Sequence, residues 1–173
     1  VQGYDKETGL HILKLLHGVK DDWKQSTLEE IRSKFPNEWT IPDVEINRRF
    51  DARRLAAFTI DPPGSRDLDD ALSVDMVDGN YRVGIHIADV SFFVSKDSLV
   101  DKEAKSRATS FYSSLGDPIN MLPPQLSNKF CSLLPGVDRL TLSVFVFLDK
   151  SGSVVGEVNI VRSVIQSRIQ MTY

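Results

Sequence analysis

Four aspartates, Asp61, Asp67, Asp69 and Asp70, fall within ten residues of the run Thr59-Ile60-Asp61-Pro62-Pro63-Gly64-Ser65-Arg66-Asp67-Leu68-Asp69-Asp70. An apolar segment precedes the run and another follows it, so the carboxylates are confined to one short connection. Carboxylates this close raise one another's proton affinity unless a divalent metal or an arginine neutralises them. Hard oxygen donors select magnesium or manganese. Mg2+ is typically held by one or two protein carboxylates, with waters and substrate phosphate completing its shell, so the pattern points first to phosphodiester chemistry. A calcium EF-hand read from Asp67 fails on spacing: Ala71 stands at its fifth position, and Leu72 where the glycine of the tight turn belongs. A solvated acidic loop is the ordinary explanation of a charge run, but it gives no reason for aspartates to enter an apolar strand pair.

The elements that must hold this loop are legible around it. Asp78-Gly79 separates two candidate strands, Asp70 to Asp75 and Tyr81 to Ile87, as a hairpin turn would, which sets the aspartates at the mouth of a sheet. Val90 to Val94 reads as a further strand. Ser98-Leu99-Val100-Asp101 starts a helix reaching about Thr109, which delivers Tyr112 into the loop that follows. Leu140 to Leu148, Val154 to Arg162 and Val164 to Met171 read as three antiparallel strands, with Lys150-Ser151-Gly152-Ser153 turning the first pair. Toward the N-terminus, Leu10 to Leu16 suits a strand or a helix. Thr27-Leu28-Glu29-Glu30 reads as a capping box for a short helix that Pro36 stops, and Asn37 to Arg54 reads as a linker. The expected class is α+β: a mixed, mainly antiparallel sheet with flanking helices and an acidic metal-binding loop at its mouth.

Several stretches, in order, resemble the signature of the RNB nuclease domain of the ribonuclease II and ribonuclease R family. They are Phe58 to Pro62, Arg66-Asp67-Leu68-Asp69-Asp70-Ala71-Leu72, Val83-Gly84-Ile85-His86-Ile87-Ala88-Asp89-Val90-Ser91, Arg107 to Tyr112, Met121-Leu122-Pro123, and Leu126-Ser127-Asn128 through Cys131-Ser132-Leu133. The resemblance runs from about residue 50 to the C-terminus. Residues 1–49 match no family motif and are expected to be a linker or lead-in, or the end of a preceding RNA-binding domain, and residues 50–173 the N-terminal part of the nuclease domain. Family motifs with an arginine and a glutamate that lie further downstream have no counterpart, so the sequence reads as part of a larger multidomain chain.

The resemblance implies a 3′-to-5′ exoribonuclease that hydrolyses single-stranded RNA processively to nucleoside 5′-monophosphates with Mg2+ or Mn2+. By position it implies Asp61 and Asp70 as metal ligands, Asp69 as the carboxylate on which the chemistry most depends, and Asp67 as support. It implies Tyr112 as the aromatic that stacks on the 3′-terminal base. The segment after Tyr112 is longer than the family pattern, and Asn120 stands where proline commonly precedes Met-Leu-Pro. The rival reading is an RNB-like domain that binds RNA or a protein without cleaving. Chemistry agrees with the first: carboxylate-held metal supplies charge neutralisation and an activated water, and stacking suits an enzyme indifferent to sequence.

Other residues read as structural. His86 lies on the opposite strand face from Tyr81, Val83, Ile85 and Ile87, and reads as a packing histidine; Asp89 reads as a turn aspartate that can brace the loop; Cys131 reads as a buried thiol. Lys102, Lys105 and Arg107 are candidates for a face that contacts the RNA backbone. With 173 residues, 41% hydrophobic and 26% charged, the chain can bury a core. Its apolar runs are too short to cross a bilayer. One cysteine and no signal-like start favour a reducing, cytoplasmic compartment. The net charge of −3 sits poorly with strong RNA binding by this segment alone.

Overall fold

The computed structural model describes residues 5–173. Its first elements are the helices α1 (Lys6–His17), α2 (Gln25–Lys34) and α3 (Asp43–Ile46), then strands β1 (Phe50–Asp51), β2 (Ala57–Ile60), β3 (Asp70–Val77) and β4 (Asn80–Ala88). Helices α4 (Val90–Phe93) and α5 (Leu99–Arg107) follow, then β5 (Phe111–Ser113), β6 (Gly116–Ile119), a π-helical turn at Leu126–Phe130, β7 (Asp138–Leu148) and β8 (Val154–Met171). They fall into two compact units, one comprising the residues up to Glu38 with Val94–Pro124, the other Trp39–Phe93 with Gln125–Tyr173.

In the first unit, α1 starts where the Asp5 carboxylate accepts from the Thr8 amide at 2.8 Å and stops at Gly18, whose φ of 62° suits a residue without a Cβ. Ser98 caps α5 as its sequence position predicts, accepting from the Asp101 amide at 3.1 Å. Thr27 does not cap α2. The helix already begins at Gln25, and the buried Thr27 hydroxyl instead donates to Glu103 on α5 at 2.6 Å, so a tertiary partner outcompetes the local box. Arg107 closes the same unit: its guanidinium lies 3.7 Å over the Trp23 ring and donates to the Lys20 and Asp22 carbonyls. That engagement removes Arg107 from the proposed RNA-facing set, while Lys102 stays exposed.

The second unit is built on a six-stranded mixed sheet in the order β1-β8-β2-β3-β4-β7, with β7 also paired to β8. The β3–β4 hairpin turns at Asp78-Gly79, both with positive φ (48° and 81°), the geometry that an Asp-Gly pair accepts at little cost. Three expectations are corrected here. Residues 154–171 form one continuous strand rather than two, and β8 pairs antiparallel with β7 but parallel with β1 and β2. Val90–Phe93 is a helical turn, not a strand, because it follows Asp89 directly, with the Phe92 amide bonded to the Asp89 carbonyl. The stretch read as a linker contains α3 and β1, together with Arg49, which is buried and paired with Asp89 at 2.7 Å.

Alternation along the strands has an unexpected sense. The face carrying Val74, Met76, Tyr81, Ile85, Ile87, Leu142 and Ile160 is the accessible one. The inward face carries Ser73, His86, Thr141, Ser143 and Ser163, all buried. Burying hydroxyls and an imidazole is costly unless each finds a partner. Here they find one another: His86 Nε2 lies 2.9 Å from Ser73 Oγ, His86 Nδ1 lies 2.6 Å from Ser143 Oγ, and Thr141 and Ser163 extend the chain of contacts. Gly84 makes room for this network, since a Cβ there would sit 2.5 Å from Ser73 Oγ.

Candidate active site

The aspartate loop leaves β2 at Ile60 and enters β3 at Asp70. Its first part is a tight turn in which the Ser65 amide donates to the Pro62 carbonyl at 3.1 Å, with Gly64 at φ 83°, the positive-φ position such a turn reserves for glycine. Three structural elements then hold it. The end of β8 accepts the Asp61 amide at the Met171 carbonyl, 2.9 Å, and Gln170 donates to the Ser65 carbonyl at 3.2 Å. Residues 132–133 grip the middle: Ser132 Oγ donates to the Arg66 carbonyl at 2.7 Å and accepts from the Leu68 amide at 3.1 Å, and the Leu133 amide donates to the Leu68 carbonyl at 2.8 Å. The end of β4 holds the exit, where the Ala88 amide donates to the Asp69 carbonyl at 2.9 Å. Leu68 has no exposed surface, and burying a leucine stabilises by about 1.5–3 kcal/mol. The loop is thus plugged into the core by the residue between Asp67 and Asp69.

This anchoring concentrates negative charge. Asp69 keeps contact with solvent, yet partial desolvation, then the charges of Asp67, Asp70 and Asp61, push its carboxyl above the usual aspartate range. The Asp61 Oδ2 atom is buried and has no hydrogen-bond partner. Cys131, buried next to this charge, is pushed up to about 12, first by burial and then by Asp69, so its thiol is inert at neutral pH. An orphaned carboxylate oxygen beside a carboxyl crowded by like charges is the donor chemistry a hard cation satisfies. Among the described residues no three His, Cys, Asp or Glu side chains converge as a metal-holding group. The backbone brings the four aspartates into one loop between β2 and β3.

The remaining candidates fall elsewhere. Tyr112 belongs to the other compact unit, on β5 rather than in a loop, with 62% of its surface exposed. Asp89 is buried and ion-paired with Arg49, and it accepts from Ser91 at 2.6 Å, partners that hold its carboxyl below the usual range against the opposing effect of burial. It is a brace. The grip of Ser132 on the loop is not legible in the sequence, because its partners lie 64 and 66 positions away and no local pattern announces them. No helix among the described residues is long and apolar enough to cross a membrane.

Comparison with known proteins agrees with this architecture. The RNB domain family matches residues 49–173. The chain is 47% identical over 139 residues to DIS3-like exonuclease 2 of Schizosaccharomyces pombe, covering 80% of this chain and 15% of that protein. It is 46% identical over 136 residues to an Arabidopsis thaliana protein named inactive exonuclease DIS3L2, covering 78% of this chain and 13% of that protein. Among solved structures, Mycoplasma genitalium RNase R in complex with ribose methylated single-stranded RNA superposes with a TM-score of 0.86 at 27% identity, over 98% of this chain and 26% of that one. The chain therefore spans only a fraction of the length of its relatives.

Proposed function

The chain belongs to the RNB domain family of ribonuclease R-like exoribonucleases, and we propose that it is the aspartate-bearing segment of a 3′-to-5′ exoribonuclease acting on single-stranded RNA with Mg2+ or Mn2+. The observation that carries this reading is the conjunction at one loop of a buried, unsatisfied Asp61 oxygen and an Asp69 carboxyl crowded by Asp67, Asp70 and Asp61. Asp61 and Asp70 would hold the divalent cation. When bound, the cation neutralises charge on the scissile phosphate and lowers the proton affinity of a water. Asp69 would orient the attacking water, with Asp67 supporting the local charge; His86, enclosed in the sheet interior, is not placed to act as a base. Tyr112, exposed on its own unit, would offer a base-stacking face. Domain organisation follows the same proposal, with residues 50–173 as the N-terminal part of the nuclease domain and a larger chain supplying the rest.

The second reading, an RNB-like domain that binds without cleaving, is favoured by one observation: a relative named as inactive is nearly as similar as one named as an exonuclease. Retention of all four aspartates supports the catalytic reading. Incubating the full-length protein with 5′-labelled single-stranded RNA, in Mg2+ or in EDTA, separates them. Metal-dependent shortening from the 3′ end supports catalysis, and retention of intact RNA supports the binding module.

A further inference from the structure

We propose that Ser132 is a positioning residue for the aspartate loop, its hydroxyl fixing the peptide groups on both sides of Asp67 and thereby the placement of Asp69 and of the proposed cation ligand Asp70. The inference rests on the metal-dependent function proposed above.

Four successive peptide groups carry the argument. The carbonyl of the peptide joining Arg66 to Asp67 accepts from the Ser132 hydroxyl at 2.7 Å, and the N–H of the peptide joining Asp67 to Leu68 donates to the Ser132 oxygen at 3.1 Å. The peptide joining Leu68 to Asp69 is held through its carbonyl by the Leu133 amide at 2.8 Å, and the one joining Asp69 to Asp70 through its carbonyl by the Ala88 amide at 2.9 Å. Every peptide group from Arg66 to Asp70 is therefore tied to a fixed element, and Ser132 alone ties two. Its hydroxyl can do so because it donates and accepts at once, which alanine cannot and which a thiol does only weakly. Ser132 is fully enclosed, and the Arg139 Nε atom donates to its carbonyl at 2.6 Å, so the clamp is itself held in place. Like charges at Asp67, Asp69 and Asp70 push the loop apart, and these bonds oppose that spreading before any cation arrives.

Groups that orient metal ligands typically matter by 10- to 100-fold in metal affinity. The test compares wild type, Ser132→Ala, Ser132→Cys, Asp61→Ala and a buried control in the other compact unit, Ile31→Val, in the full-length protein. Three quantities are read: hydrogen exchange of the loop amides without metal, Mg2+ affinity by calorimetry, and kcat and KM on single-stranded RNA across Mg2+ concentrations. Ser132→Ala is expected to exchange the Leu68 amide faster, to need about tenfold more Mg2+, and to lose kcat at limiting Mg2+ with KM for RNA unchanged, with Ser132→Cys intermediate. Should Ser132→Ala not fold, Ser132→Cys carries the same comparison. The inference is overturned if the serine variants keep wild-type Mg2+ affinity while Asp61→Ala loses it, or if Ile31→Val shifts Mg2+ affinity as much as they do. Wild type and Asp61→Ala sharing one indifference to Mg2+ would instead overturn the proposed function, and the inference with it.

Discussion

His86 and Ser143 meet at 2.6 Å between Nδ1 and Oγ inside a sheet whose inward face buries a cluster of polar side chains and whose accessible face is apolar. A histidine so enclosed is committed to its neutral form, in which one ring nitrogen donates and the other accepts. Burial lowers its pKa to about 4 from the ordinary 6.5. The consequence is a dependence of stability on pH that does not involve the aspartate loop.

As pH falls through 6.5 the unfolded chain takes up a proton at this histidine while the folded protein does not, so acid favours unfolding. The contribution of His86 is fully present above its unfolded value and declines as pH drops toward about 4, by roughly 3 kcal/mol in all. Denaturant midpoints at about pH 7 and about pH 5 measure it. Wild type should lose stability across that interval more steeply than His86→Gln, and parallel slopes would mean that the ring is not held neutral.

Gly84→Ala tests how tightly the same network is packed. The added methyl carbon would meet Ser73 Oγ at 2.5 Å and His86 Nε2 at 2.8 Å, so two hydrogen-bonded side chains must move. A loss of about 1–3 kcal/mol is expected in a denaturant titration. A neutral substitution would show that the interior has room to relax.

For the metal, Asp61→Ala and Asp70→Ala should each weaken Mg2+ or Mn2+ binding in a calorimetric titration while leaving the fold intact by circular dichroism, because each removes a charged oxygen from a short ligand list. Unchanged affinity in both variants would move the site away from this loop.

Tyr112→Ala in the full-length protein should retain cleavage of long RNA but hold short RNAs less firmly. Loss of one stacking contact is worth about 1–3 kcal/mol, or roughly 5- to 150-fold in retention. End products should lengthen on a gel. An unaltered product ladder would leave Tyr112 outside the RNA path.

What the sequence made legible was local. The Asp78-Gly79 hairpin, the Ser98 cap and the aspartate loop each depend on residues a few positions apart, and each stands where its chemistry indicates. What it hid was non-local. Thr27 looks like a cap until Glu103 offers its hydroxyl a better partner, and β8 reads as two antiparallel strands because nothing within it reports that β1 and β2 will lie parallel beside it. The Ser132 clamp joins residues more than sixty positions apart for the same reason. Alternation separated His86 from its isoleucine neighbours correctly, but period alone does not say which face is covered, and here the face that carries His86 is inside.

Asp69→Asn in the full-length protein tests the central claim most directly, because it removes the charge at the most crowded carboxyl while nearly preserving its shape. Folded Asp69 has a raised proton affinity, which costs stability at neutral pH and is relieved as pH falls, so the variant without metal should unfold at slightly higher denaturant than wild type. Incubated with 5′-labelled single-stranded RNA and Mg2+, it should bind RNA at least as tightly as wild type yet release no nucleotides from the 3′ end. Cleavage at the wild-type rate by a folded, RNA-binding Asp69→Asn protein would contradict the assignment of the chemistry to this loop.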